Sequence, residues 1–286
     1  MPAESNPTVA RRRLAVRLRG LREQQGRSLN ELASVLSVSL AQASRLDTGA
    51  RGFKPSNVDT LAEWYGLSPR EHTSLQELVA ESAKRAWWQQ IDLDDSYRSL
   101  IGFERRAVSI SEFGGAVVPG LLQTGDYANA AASGSSVDLP AGVTEQAVDV
   151  RMRRQEVLRR EKAPLLWVVI DEAVLARTTG GREVMSAQLD HLLEAAETPR
   201  VTVQIIGFEA GTHLGSRYTQ FILLGMGSVV PDVLYHEGML EPTDTDAPAA
   251  LETYRRVWDM LRALALDPEA SRDRILSYHS ALKSGW

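Results

Sequence analysis

The chain has 286 residues, 43% of them hydrophobic and 24% charged, enough for about two domains with real cores. It has no cysteine, which excludes disulfide frameworks, thiolate zinc sites and cysteine nucleophiles, and its longest apolar run, around Leu165–Ile170, is far short of the roughly 20 residues that span a membrane. A net charge of −5 argues against a polyanion-binding surface over the whole chain, but residues 1–54 alone carry +6 and the remainder −11.

Residues Met1 to Thr8 are polar and lack the apolar stretch of a signal peptide, so a cytoplasmic protein is expected. Residues 9–25 place Leu14, Leu18 and Leu21 at helical spacing among arginines, with Gly26 where a C-terminal glycine belongs. Ser28 and Glu31 form a capping box ahead of Leu32, Val35 and Leu36. Ser37-Val38-Ser39 breaks that helix, and Ser39 caps a third, Leu40–Asp47, which ends near Gly49. Pro55 starts a fourth with Val58, Leu61, Ala62 and Tyr65 facing inward. Ser68-Pro69 opens a fifth, striped by Leu75, Leu78 and Val79. Together they predict an all-α five-helix domain over residues 9–84.

Residues 85–118 read as a linker, with Trp87-Trp88 as aromatic anchors and β-like content at Ala107–Val118 broken by Gly114-Gly115. Thr124 caps a short helix over Asp126–Ala132, Ala131–Gly142 reads as an exposed loop, and Glu145–Lys162 as one charged helix. Leu165–Ile170 and Val201–Ile206 are buried strands separated by a helix over Arg182–Glu197. Gln220–Leu224 and Val233–Tyr235 are further strands, and helices Ala249–Leu266 and Glu269–Lys283 close the chain. The fold class is therefore multi-domain, with a mixed α/β or α+β C-terminal control domain over 119–286.

Helix, tight break, helix at residues 28–47 is the pattern that lays its second helix in a DNA major groove. Outward residues of that helix are Ala41, Gln42, Ser44 and Arg45. Arg45 can donate two hydrogen bonds to guanine, Gln42 can pair with adenine, and Ala41 can touch a thymine methyl. Ser28 and Ser39 leave helix N-termini open to phosphate oxygens, and Arg51 and Lys54 follow as phosphate clamps. One short reading helix covers few base pairs, so a homodimer on a palindromic double-stranded operator is expected, nucleoid-associated when bound.

Ser28 to Ala33, Val38-Ser39 and Ser44 to Gly49 resemble the phage-repressor (XRE/Cro-type) helix-turn-helix. The resemblance implies a structural pair between Arg22 and Asp47. That family often has glutamine where this chain has Leu29 and Leu40, which shifts base readout toward Gln42, Ser44 and Arg45. Ala86-Trp87-Trp88, Phe103-Glu104, Val118 to Thr124, Tyr127-Ala128, Arg154-Gln155 and Gln188-Leu189 are similar to the long WhiJ-like regulators of actinobacteria. That resemblance implies modulation by a small BldB-like partner protein.

Pro119, Gly120, Leu121, Leu122, Gln123 and Thr124, with Arg154 and Gln155, are the candidate partner or ligand site; the competing reading is a turn, core leucines and a helix cap. The arginines of 151–160 are interleaved with acids, as on a solvated face. His236-Glu237 and Asp171-Glu172 are weak catalytic candidates: no histidine pair has HExxH spacing and no nucleotide loop is present. The expectation is no enzyme, no metal and no cofactor. Two alternatives stay open, an antitoxin-like interaction module with a vestigial helix-turn-helix, and a small-molecule-sensing repressor.

Overall fold

The computed structural model describes residues 6–135, 141–218, 220–237 and 242–284. The chain divides into two units, one running to Arg106 and including Met226–Pro231, the other comprising Ala107–Gly225 and the chain from Asp232 onward. The N-terminal unit is helical, and the second carries a mixed six-stranded sheet with helices.

Unit 1 contains α1 (Pro7–Gln24), α2 (Leu29–Val35), α3 (Leu40–Asp47), α4 (Pro55–Tyr65), α5 (Pro69–Ser82) and α6 (Asp95–Glu104). Its starts follow local chemistry. Asn6 caps α1 through Val9 N–H at 3.1 Å, and Ser28 and Ser68 form reciprocal capping boxes with Glu31 and Glu71. The core gathers Leu14, Leu18, Leu32, Leu46, Leu61 and Leu75. Each such leucine contributes about 1.5–3 kcal/mol by leaving water.

The expected linker 85–118 has structure of its own on both sides of the division. Trp88 is buried, edge-on to Trp87 at 5.7 Å, and Arg105 lies 5.3 Å over its ring. α6 then crosses α1 closely. Asn6 Nδ2 donates to Gly102 C=O at 2.7 Å, and a Cβ on Gly102 would fall 2.2 Å from Thr8 Oγ1. Only glycine allows that approach.

Unit 2 begins at β1 (Ser109–Gly114), an interior strand of the sheet rather than a connection. With β2 (Leu165–Asp171), β3 (Val201–Ile206), β4 (Gln220–Gly225), β5 (Val233–Glu237) and β6 (Pro242–Thr245), the order is β3-β2-β1-β4-β5-β6. β1, β2 and β3 run parallel, and β4, β5 and β6 are an antiparallel meander. Parallel neighbours need crossovers. α7 (Gly125–Ser135) and α8 (Ala141–Arg154) connect β1 to β2, and α9 (Glu172–Ala176) and α10 (Arg182–Ala196) connect β2 to β3.

Two expectations change here. The region read as the loop Ala131–Gly142 is entered by α7 and left by α8, and its residues 136–140 lie outside the described residues. The single charged helix Glu145–Lys162 ends its α-helical part at Arg154 and tightens into a 3-10 segment, Gln155–Arg159. Helical spacing does not distinguish these two ladders. The closing helices are α11 (Pro248–Leu264) and α12 (Pro268–Ser284).

One face of the sheet packs Phe113, Val169, Phe221 and Leu234 against Leu251, Trp258 and Leu261. The exposed backbone of edge strand β3 is satisfied by the junction of the last two helices. Leu266 N–H donates to Ile205 C=O at 2.9 Å, and Ile205 N–H donates to the buried Ser271 Oγ at 2.9 Å. This blunts an edge that would otherwise recruit another strand.

Candidate nucleic-acid interface

The turn between α2 and α3 closes two of the orphan carbonyls at the end of α2. Val38 N–H donates to Ala33 C=O at 2.9 Å and Ser37 N–H to Ser34 C=O at 3.1 Å, the paired bonds of a Schellman motif. That motif requires a left-handed residue, and Ser37 takes it at φ 52°, the one non-glycine with positive φ among the described residues. Ser39 then caps α3 by accepting Gln42 N–H at 3.2 Å. Gly49 ends α3 at φ 76°, where a Cβ would lie 3.1 Å from that of Ala15, so α3 approaches α1 closely.

A buried ion pair clamps the same junction. Arg22 Nε and Nη2 donate to Asp47 Oδ1 and Oδ2, both at 2.9 Å, while Arg22 Nη1 donates to Arg27 C=O at 2.9 Å. The two side chains are 11% and 8% exposed. The Asp47 carboxylate pushes the Arg22 guanidinium above its ordinary value, against the opposing effect of burial. This fork ties the end of α1 to the end of α3, so α3 has no freedom to roll.

Rolling being prevented, α3 buries Ala43, Leu46 and Asp47 and turns the opposite side outward. Ala41, Gln42 and Arg45 are exposed and Ser44 is half-buried beside them. The side chains of Gln42 and Arg45 make no hydrogen bond among the described residues. Leu40, at the first position of α3, is 51% exposed, while Leu29 is half-buried against the core. Arg51 and Lys54 are exposed in the segment after α3, which Arg51 N–H fixes by donating to Arg45 C=O at 2.8 Å.

Ser28 and Ser39 differ as anion sites. The Ser28 hydroxyl and backbone N–H both donate to Glu31 Oε2 at 2.8 Å, and these two bonds hold the Glu31 carboxyl below its usual range. A carboxylate therefore already occupies the N-terminus of α2, and a phosphate there meets like charge. No acidic residue lies in the first turn of α3, so the Ser39 end stays open. The charge count of residues 1–54 also overstates the basic surface. Arg22 is clamped, Arg12 is buried 5.2 Å from the Phe103 ring, and Arg27 stacks 4.1 Å from Trp64.

In unit 2 the structure turns the 119–124 segment inward. Pro119 to Gln123 are buried, and three buried glutamines hold their polar atoms. Gln123 Nε2 donates to Val118 C=O at 2.6 Å, and Gln155 Nε2 donates to Gln123 C=O at 2.7 Å and Gly120 C=O at 3.1 Å. Gln188 Nε2 donates to Leu122 C=O and its Oε1 accepts Thr124 N–H, both at 2.7 Å. The buried Arg154 guanidinium lies where a Gly120 side chain would stand, 3.3 Å from that Cβ position. Thr124 Oγ1 accepts Tyr127 N–H at 3.3 Å as the cap of α7. Of the eight residues proposed for a partner or ligand, only Thr124 is not buried, which fits the turn, core and cap reading instead.

The acidic pair at the end of β2, Asp171 and Glu172, is also engaged internally. Asp171 caps α9 through Ala173 N–H at 2.8 Å and meets His213 Nε2 at 3.1 Å. Glu172 is buried, accepting from Phe208 N–H at 2.6 Å, from Tyr278 OH at 2.9 Å and from Arg274. Burial and the Glu172 carboxylate push the Tyr278 phenol up to about 12. Sequence reading missed this anchor because Arg274 and Tyr278 lie 102 and 106 residues from Glu172. His236 stacks 6.0 Å from Tyr254, and the side chain of Glu237 lies outside the described residues. Among the described residues no three His, Cys, Asp or Glu side chains gather as for a metal, and no helix is long and apolar enough to cross a membrane.

The profile of a helix-turn-helix domain matches residues 13–75, from within α1 to within α5. Such modules belong to DNA-binding regulators. A second profile, described as a domain of unknown function (DUF5753), matches residues 97–277, beginning inside α6 and covering more than half of the chain. No curated protein and no solved structure matches the chain. A helix-turn-helix module therefore precedes the larger matched region, and by that region the chain belongs to the DUF5753 family.

Proposed function

We propose that the chain is a sequence-specific transcriptional regulator of the XRE/Cro type, WhiJ-like in its second half, whose operator affinity is set through unit 2 by a small BldB-like partner protein. The observation that carries the reading is the outward face of α3, where Gln42 and Arg45 stand exposed, their side chains without hydrogen-bond partners among the described residues, on a helix clamped by Arg22 and Asp47. Arg45 reads guanine, Gln42 reads adenine or another base edge, and Ala41 and Ser44 make close contacts beside them. The α3 N-terminus at Ser39 takes a phosphate oxygen, and Arg51 and Lys54, just past the helix, clamp the DNA backbone.

An eight-residue reading helix spans few base pairs, so the protein binds as a homodimer to palindromic double-stranded DNA with half-sites about one helical turn apart. The partner acts by binding DNA-competent and DNA-incompetent forms with different affinity. The reading assigns the chain no catalytic step and no cofactor, in keeping with the structural use of Asp171 and Glu172. It places the protein in the cytoplasm, on the nucleoid when bound.

The test is selection of genomic DNA fragments by the purified protein, with and without small proteins encoded nearby. A palindromic motif, weakened by one of those proteins, is the expected result. Absence of any enriched motif overturns the DNA reading; a motif that no nearby protein alters overturns the partner alone.

A further inference from the structure

Among the described residues of unit 1, one large hydrophobic side chain stands exposed. Of the large hydrophobics that stand exposed, Val108, Leu165, Phe208, Met260 and Leu264 lie in unit 2, and Leu40 is the one in unit 1. Its place is specific. Leu40 is the first residue of α3, directly after the Ser39 cap and next to exposed Ala41, on the flank that carries Ser44 one turn later. No turn of helix precedes it, so nothing in α3 shields it, and its neighbours Leu36 and Val38 are the ones that pack inward.

When a helix of this kind enters the major groove, its N-terminal residues approach the base edges. An exposed leucine offers no donor or acceptor to a base. What it complements is the only apolar group on a major-groove edge, the C5-methyl of thymine. Beside the hydrogen-bonding side chains of Gln42 and Arg45, Leu40 with Ala41 forms a small apolar step that distinguishes bases by that methyl.

We infer that Leu40 is a specificity-determining residue that selects a 5-methylpyrimidine, thymine in ordinary DNA, at one position of each half-site. The inference rests on the DNA-binding reading above and adds the chemistry read at the start of α3. Covering one methyl contributes about a fourfold change in affinity.

The test uses the full chain and the site recovered by selection, with each thymine replaced in turn by deoxyuridine, which removes the methyl and leaves every hydrogen-bonding group in place. Wild type should lose about fourfold at one thymine per half-site, and Leu40→Ala and Leu40→Gln should lose most of that difference between the thymine and uracil versions. Placing 5-methylcytosine against cytosine at that position should restore part of the wild-type preference only. Melting curves of both variants report folding, and circular dichroism reports helix content. Selective binding with no uracil effect, or with the same effect in the Leu40 variants, overturns the inference alone. Failure to select any sequence overturns the DNA reading and this inference with it.

Discussion

The α2–α3 turn and the 119–124 segment are the two most distinctive stretches of the sequence, and the structure uses them in opposite ways. At the α2–α3 turn, backbone groups are satisfied within a few residues, by the Ser39 cap and the paired bonds around Ser37. The 119–124 segment has local bonds too, among them Leu122 N–H to Pro119 C=O at 2.9 Å and Gln123 Nε2 to Val118 C=O, but the carbonyls of Gly120, Leu122 and Gln123 and the N–H of Thr124 go to Gln155 and Gln188, 32 to 66 residues away. A segment satisfied locally can present its side chains to solvent. One satisfied by distant side chains must stay buried with them, because an unmade bond inside the protein costs far more than one at the surface. Distinctiveness in sequence marks both a reading surface and a scaffold, and hydrogen-bond range separates them.

The sharpest way to break this comparison is Gln188→Leu. It strands Leu122 C=O and Thr124 N–H together, and unit 2 should lose about 2–5 kcal/mol in denaturant unfolding. A loss below about 1 kcal/mol would mean that the segment does not depend on its long-range partners. At the other region, Asp47→Ala leaves the Arg22 guanidinium without its bidentate partner and should cost unit 1 about 3 kcal/mol. Its unfolding should show before any local loss at Ser28 or Ser39 does, since each cap contributes about 1 kcal/mol.

How much of this was legible follows the same division. The capping boxes at Ser28 and Ser68, the left-handed Gly26 and the edges of α2 and α3 are local, and they stand in the sequence as read. β1 is not legible as an interior strand because Ser109, Ser111 and the buried Glu112 interrupt its apolar pattern. α6 also lies in the span expected to be a linker, and Gly102 within it serves a close approach to Thr8, 94 residues earlier, that no local spacing reveals. The candidate site divides likewise. Exposure of Gln42 and Arg45 follows from helical periodicity, whereas the inward fate of Gln123, Arg154 and Gln155 depends on partners that no local spacing reveals.

Within the reading face, the comparison predicts that substitutions touch affinity and leave folding alone. Arg45→Ala should weaken the selected site about 10–100-fold, with a smaller effect on unrelated DNA. Arg51→Ala should weaken all sequences alike and lower the slope of affinity against salt by about one. Titration of both variants by fluorescence anisotropy at several salt concentrations separates the two. Equal losses on all DNA for Arg45→Ala would move base readout away from α3.

Ser37 offers the smallest effect and the finest test of local satisfaction. A left-handed conformation costs a side-chain-bearing residue about 1–2 kcal/mol, and Ser37 adopts it at φ 52°. Glycine removes that cost but loses more freedom on folding, about 0.5–1 kcal/mol. The balance favours Ser37→Gly by about 0.5–1 kcal/mol, a rise of a few degrees in the melting of unit 1. The turn bonds at Val38 and Ser37 are made by backbone atoms, so the variant should keep them and bind operator DNA as wild type does. Lower stability in Ser37→Gly would show that the serine side chain supports the turn beyond those backbone bonds. Unchanged stability with altered DNA affinity would instead make the strain part of how α3 is presented, and the turn would then be satisfied locally but set for its ligand.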